Sequence, residues 1–397
     1  MKILMINVVC GIRSTGRICT DLAEVLEKEG HEVKIAYGRE DVPEQFGKYA
    51  VRIGSRFDNI SHGLKARLTD GCGFGSVRAT KRFIEWVKEY DPDVIHLHNL
   101  HGYYINVEIL FDYLKTCGKR VIWTLHDCWA FTGHSATCDA VDCTRWETGC
   151  YDCPNLKEYP ASYSDHSSEN WHKKKAVFSD VPDMTIITPS RWLAGLVRES
   201  FLQEYPVEVI YNGIDTSQFY PMESDFKERL GIKDKKMLLG VATAWNEMKG
   251  FSDYLKLADM LDEKYRIVMV GLTAKQIDSL PPSIIGLEKT NSPKELAMIY
   301  SAADILLNLS YCESFSMINI EAQLCGTPVI SYKTGGCVET GGNNAVIEKG
   351  DLEAVKEALE GNVSIQVIGK EIEKDTMTSR YIEVYTRGTE TVSGRTE

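Results

Sequence analysis

The 397-residue chain has no apolar run approaching the ~18–20 residues that span a bilayer, so no transmembrane helix is expected. It has no excess of positive charge. Forty-five Lys and Arg against 57 Asp and Glu leave a net charge of −12, which argues against a general nucleic-acid binder. Low-complexity tracts and short repeats are missing too. No G-x-G-x-x-G follows the first strand candidate, so the dinucleotide fingerprint is not there. No Asp-x-Asp pair is placed to hold a catalytic metal; Asp91-Pro-Asp93 has the spacing but precedes a buried strand and reads as a turn. A secretory leader is not expected either. Met1 to Val9 reads as a buried first strand that runs straight into a glycine turn, and a cytoplasmic protein is the expectation.

What is present is a soluble α/β composition, 43% hydrophobic and 26% charged. Apolar strand-like runs alternate with helical patterns, which predicts parallel sheets. A first series of strands is expected at 2–9, 32–36, 94–97, 121–125 and 184–188, with helices over 18–29, 77–90 and 107–117. A second series is expected at 207–211, 237–241, 266–270, 305–309 and 328–330, with helices over 251–261, 293–302 and 317–325. The turn from Asn212 to Phe219 sits near the break. Two similar lobes follow, residues 1–205 and 206–374, and a helix over about 375–390 comes after them. The residues from Arg387 onward are small and polar and are expected to fray.

The densest chemistry lies at Tyr311-Cys-Glu313-Ser314-Phe315-Ser316-Met-Ile-Asn-Ile-Glu321. Glu313 and Glu321 are eight residues apart, which places them about two helical turns apart on one face. Ser314, Phe315 and Ser316 fall at an expected helix N-terminus, whose N–H groups and positive dipole end attract phosphate. A ligand with both hydroxyls and phosphate, such as a nucleotide sugar, fits that set. The first β-α turn, Val9-Cys-Gly11-Ile-Arg-Ser14-Thr15-Gly16, suits either a close anion approach or an ordinary tight turn. His126 and Asp127 end a strand candidate, where α/β sheets bind ligands. Alone, such a histidine is more readily a satisfied loop residue than a site residue. Lys249-Gly250 closes the turn after the strand candidate at 237–241; an exposed lysine there is by default a solvated one.

These segments resemble the family-4 retaining glycosyltransferases, which have the GT-B fold of two Rossmann-like lobes. The resemblance covers nearly the whole chain: Glu313-x7-Glu321, Lys249-Gly250, His126-Asp127-Cys-Trp129, the glycine turn at Gly11–Gly16 and Asn212-Gly-Ile-Asp215. It implies that Glu313 contacts the transferred sugar and Glu321 the ribose hydroxyls. It implies that His126 lines the sugar site and that Lys249 grips the donor diphosphate. Gly11, Gly16, Ser14 and Thr15 would face donor and acceptor, and Asp127 would orient His126 or cap the next turn. It also implies that the last helix crosses back onto the first lobe. One departure stands out. Family members place an arginine shortly before Lys-Gly, and here Thr243, Ala244 and Trp245 occupy that neighbourhood. A charge-assisted phosphate contact is thereby missing.

The implied activity is retaining transfer of a sugar from a nucleoside diphosphate to a growing glycan or lipid-linked oligosaccharide. It would proceed by front-face attack without a catalytic metal. Alternatives are an epimerase or phosphorylase on the same scaffold, or a catalytically silent membrane-associated subunit.

Twelve cysteines are many for a reducing compartment, where they read as buried thiols or metal ligands. Cys138, Cys143, Cys150 and Cys153 lie in a polar insert over about 133–155. Four thiols in one short loop can close a structural zinc site, with Cys128 and His134 in reserve; free thiols or disulfides are the other readings. The segment from Arg52 to Lys88 carries eight basic and three acidic residues, +5 in an acidic chain. Ile60, Leu64 and Leu68 sit among them at helical spacing, suiting either peripheral contact with the inner face of a membrane or a solvated helix.

Overall fold

The computed structural model describes residues 1–341, 345–365 and 369–387. It divides into two compact units: Met1–Tyr211 with the segment that begins at Asp375, and Asn212–Lys374.

The first unit is built on a seven-stranded sheet: β1 Lys2–Asn7, β2 Glu32–Tyr37, β3 Ala50–Arg52, β4 Val94–Leu97, β5 Arg120–Thr124, β6 Met184–Thr188 and β7 Val207–Val209. Its order is β3-β2-β1-β4-β5-β6-β7, and every pairing is parallel. The second unit has six strands: β8 Lys236–Val241, β9 Tyr265–Val270, β10 Ile284–Leu287, β11 Ile305–Asn308, β12 Val329–Tyr332 and β13 Val346–Ile347. Their order is β10-β9-β8-β11-β12-β13, again all parallel. Central strands are apolar almost throughout. In β1, five consecutive residues after Lys2 are buried, as a strand covered on both faces requires.

Each order reverses once, at β1/β4 and at β8/β11. At such a reversal the loops leaving the carboxyl ends of the strands part, and a crevice opens in the sheet's own edge. The expected site residues lie in those loops.

The expectation of two parallel α/β lobes holds. The strand at Val207 does not open the second series, as its position suggested. It pairs with β6 (Ile186 with Val207) and closes the first sheet. The first helix begins at Arg13 and not at Ile18. Gly16 does not delay it, because that glycine is buried in close contact with Val9.

The last helix, Lys374–Thr386, packs on the first unit as expected. Met377, Tyr381, Val384 and Tyr385 join the core with Ile3, Met5 and Val94. Tyr381 Oη lies 3.0 Å from Thr124 Oγ1, and Tyr385 Oη lies 2.7 Å from His96 Nδ1. The expected extension of this helix over 388–390, and the tail beyond it, lie outside the described residues.

Candidate active site

In the second unit the loops leaving β8 and β11 are tied together. Tyr311 N–H donates to Met248 C=O at 2.9 Å. Gly250 turns the chain in the left-handed region, φ 71°, and a Cβ there would come 2.2 Å from Leu309 O. Only glycine allows this approach. The turn delivers Lys249 Nζ to the Glu313 carboxylate, to which it donates a hydrogen bond. Burial alone would lower the Lys249 pKa; Glu313 outweighs it and the pKa stands raised. Lys249 is therefore a cation at neutral pH.

Glu313 does not share a helical face with Glu321, contrary to the spacing argument. The helix starts at Met317, so Glu313 lies in the loop before it. That loop is fastened from the other side: Glu313 C=O accepts from Gly336 N–H at 2.9 Å, and Tyr311 C=O from Thr334 Oγ1 at 2.9 Å. Ser314, Phe315 and Ser316 do lead into the helix, with Phe315 and Ser316 buried. Ser316 is the N-cap residue but makes no capping hydrogen bond. Its hydroxyl instead accepts from Asn308 Nδ2 at 2.9 Å. The first-turn N–H groups of Met317–Leu324 are thus not satisfied by a capping side chain, the condition for receiving an anion. Glu321 lies on this helix, and its Oε2 accepts from Tyr300 Oη at 2.8 Å.

Two supporting residues had no motif to betray them. Asn308, buried at the end of β11, donates to both Ser316 Oγ and Asn319 Oδ1 at 2.9 Å. Asp253, buried in the helix Phe251–Met260, accepts from Tyr311 and Tyr332 hydroxyls at 2.7 and 2.9 Å. Trp245, near the position where family members carry arginine, is buried and donates to Val270 C=O at 2.9 Å. It fills core and offers no charge.

In the first unit the glycine turn is tight. Gly11 has φ 73°, and a Cβ there would strike Phe46 at 2.4 Å. Ser14, Thr15 and Gly16 belong to the first turn of the helix Arg13–Lys28, and Thr15 Oγ1 accepts from Asn7 Nδ2 at 3.3 Å. The helix has no side-chain cap.

His126 follows β5 and lies in a histidine ladder that sequence reading missed. His126 Nε2 is 3.1 Å from His98 Nδ1 with the rings stacked, and His98 lies 4.0 Å, ring to ring, from His96. The signal was there, His96-Leu-His98-Asn-Leu-His101 at the end of β4, but without a motif to carry it. Burial pushes His126 down to about 4 and His96 to about 3, and holds His98 well below the usual imidazole range, so all three are neutral near pH 7.

The tautomer follows from what is orphaned. His98 Nε2 is buried with no partner. If His126 donated to His98 Nδ1, the His98 proton would sit at that orphaned nitrogen, an unsatisfied buried N–H. Donation from His98 Nδ1 to His126 Nε2 leaves only a lone pair there. His126 then carries its own proton on Nδ1. Asp127 does not orient His126. It accepts from Trp129 N–H at 2.9 Å and faces His101 Nε2 at 2.7 Å, so it caps the turn and holds a different imidazole.

All twelve cysteines are free thiols, and among the described residues no group of three or more His, Cys, Asp or Glu is placed to hold a metal ion. Cys138, Cys143, Cys150 and Cys153 lie in a segment with its own apolar anchors. Trp146 is buried against Phe131 with centroids 5.0 Å apart, and its carbonyl accepts from Trp171 Nε1 at 2.8 Å. The Cys150 thiol accepts from Gly133 N–H at 3.1 Å.

Comparison with known proteins agrees with this geometry. The sequence profile described as Glycosyltransferase Family 4 matches residues 15–218, and that described as Glycosyl transferases group 1 matches residues 222–371. A glycosyl transferase of Escherichia coli (strain K12) assigned to colanic acid biosynthesis, WcaC, is 23% identical over 375 residues, covering 90% of each chain. Among solved structures, the sucrose-phosphate synthase of Thermosynechococcus elongatus superposes with a TM-score of 0.70 at 16% identity, over 97% of this chain and 98% of that one. The HepE protein of Anabaena, solved with UDP, gives 0.68 at 15% identity, over 97% and 100%.

Proposed function

From a chain that belongs to the group 1 glycosyltransferases with a family-4 first unit, on the GT-B fold, we propose retaining transfer of a sugar from a nucleoside diphosphate to a growing glycan or lipid-linked oligosaccharide. The observation that carries this reading is the second unit's loop pair. It sets the Lys249 cation and Glu313 beside an uncapped helix N-terminus, with Glu321 on that same helix. Backbone N–H groups and Lys249 would take the diphosphate, Glu321 the ribose hydroxyls, and Glu313 the sugar. Both cation and helix end stabilise charge that grows on the departing phosphate, which is where electrostatic catalysis acts. In the first unit, neutral His126 would offer its Nδ1–H to a sugar oxygen.

In the proposed step the acceptor oxygen bonds to the anomeric carbon as the carbon–phosphate oxygen bond breaks. Both events occur on one face, and the acceptor hydroxyl proton passes to the leaving phosphate oxygen. The Anabaena neighbour solved with UDP supports a nucleoside diphosphate donor, and the E. coli relative supports polysaccharide assembly as the setting. A cytoplasmic place fits that setting.

A thermal-shift screen of nucleotide sugars should give a hit, and NMR coupling constants of the product should show the donor's anomeric configuration retained. An inverted product would refute the front-face step. The buried Trp245 favours one other reading, a silent subunit; absence of any nucleotide or nucleotide-sugar binding by calorimetry would select it.

A further inference from the structure

One surface stands apart from these loops. The helix Arg56–Thr69 buries only His62 and Ala66. The side away from them carries four large apolar side chains in water: Phe57 is 78% exposed, Ile60 69%, Leu64 62% and Leu68 56%. At about 100° per residue these four fall within an arc of about 80°, roughly opposite the buried pair. Isolated exposed apolar residues are normal, but a continuous stripe marks an interaction surface.

Cations border the stripe. On the same wheel Arg56 and Arg67 flank one edge and Lys65 the other. The next helix, Val77–Tyr90, adds exposed Val77, Arg78, Lys81 and Arg82. Tyr163, 73% exposed, adjoins the far end; its N–H donates to Arg67 C=O at 2.8 Å and the Arg67 guanidinium lies 4.7 Å over its ring. Acids nearby are already engaged. Asp58 closes the helix's capping box with Ser55, Asp41 pairs with Arg56 at 2.9 Å, and Glu85 pairs with Lys88 at 2.9 Å.

We propose that this helix lies on a bilayer surface rich in anionic lipid. Its apolar stripe enters the headgroup–acyl boundary and its bordering cations meet lipid phosphates. An amphipathic helix with lysine and arginine on both margins is the form such contacts take, and net positive charge confined to one region of an acidic chain selects an anionic partner. This inference does not depend on the proposed reaction.

The test uses the full chain with phosphatidylcholine vesicles, with and without phosphatidylglycerol. The protein should float with the anionic vesicles, not with the neutral ones, and salt should release it. Ile60→Ser with Leu64→Ser should weaken this binding about tenfold or more, as should Lys65→Glu with Arg67→Glu. Thermal unfolding and nucleotide binding should stay unchanged, since these side chains are exposed. Val141→Ser, at an exposed apolar site elsewhere, should change nothing. Vesicle binding that survives the serine pair, or no binding at all, would overturn the proposal. So would self-association abolished by the serine pair without vesicles, which would assign the stripe to a second copy of the chain.

Discussion

All nine histidines lie in the first unit, and the second unit has none. The second unit instead sets a lysine–glutamate pair at a helix end. Both units have the same reversed parallel sheet, and both keep their chemistry in the loops leaving its carboxyl ends. On the proposed reading, one sheet plan would carry two kinds of recognition. Neutral imidazoles suit a sugar's hydroxyls, which ask for directed hydrogen bonds without charge. A cation and free N–H groups suit a diphosphate. Five predictions bear on this contrast, taken from the largest expected effect to the smallest.

Acid should separate the units. His62 and His96 are fully buried, and burial holds their pKa values down to about 4 and about 3. Between pH 6.5 and those values the unfolded chain binds protons that the folded chain refuses. Stability is therefore complete above about pH 6.5 and falls as pH drops. At pH 5 the loss is about 2 kcal/mol for each of these two. Hydrogen exchange should show β4 and β5 losing protection at pH 5 relative to pH 7.5, while β8 and β11 keep theirs. Equal loss in both units would break the contrast.

Next in size is Lys249→Ala. It removes the cation from the proposed diphosphate site and leaves Glu313 facing phosphate uncompensated. Loss of one partner of a hydrogen-bonded charge pair costs about 2–4 kcal/mol, so donor affinity by calorimetry should fall roughly a hundredfold. Glu313→Gln should act on kcat more than on KM. His98→Leu should also lower kcat, by about tenfold, through loss of the hydrogen bond that sets the His126 tautomer. His98→Asn, whose amide N–H can take the place of Nδ1–H, should recover most of it. An Asn variant as weak as the Leu variant would sink the tautomer argument.

Central strands were legible because burial on both faces forces continuous apolar runs; Val94–Leu97 and Met184–Thr188 have the bounds expected of them. Three strands were missed, β3, β10 and β13, and β7 was given to the wrong series. All four are sheet edges. An edge strand is short, and which sheet it joins is decided by its neighbour's register, not by its own residues. The same holds at the site. Motifs marked Lys249, Glu313 and Glu321, yet the helix starts after Glu313 because the Gly336 contact holds that loop from outside. Asn308, Asp253 and the histidine ladder work through contacts made only once the chain has folded. In the cysteine insert, thiol spacing drew attention from Trp146, the residue that anchors it.

The smallest expected effect tests how much of the second unit's site is charge and how much is shape. Tyr300 is fully buried, and its hydroxyl donates to Glu321 Oε2 at 2.8 Å. Tyr300→Phe keeps the ring and its packing and removes that one donor. Glu321 is left to find its remaining partners or water, so the cost is that of a single hydrogen bond to a charged group, about 1–2 kcal/mol at most. Donor affinity should drop about five- to tenfold, well short of the Lys249→Ala loss, with thermal stability little changed. The drop should also depend on the ligand. It should appear for a nucleoside diphosphate, whose ribose needs Glu321 correctly turned, and vanish for inorganic pyrophosphate, which needs only the helix end and Lys249. Equal loss for both ligands would mean that Tyr300 supports the helix as a whole, and the division of labour between Glu321 and Lys249 would have to be abandoned.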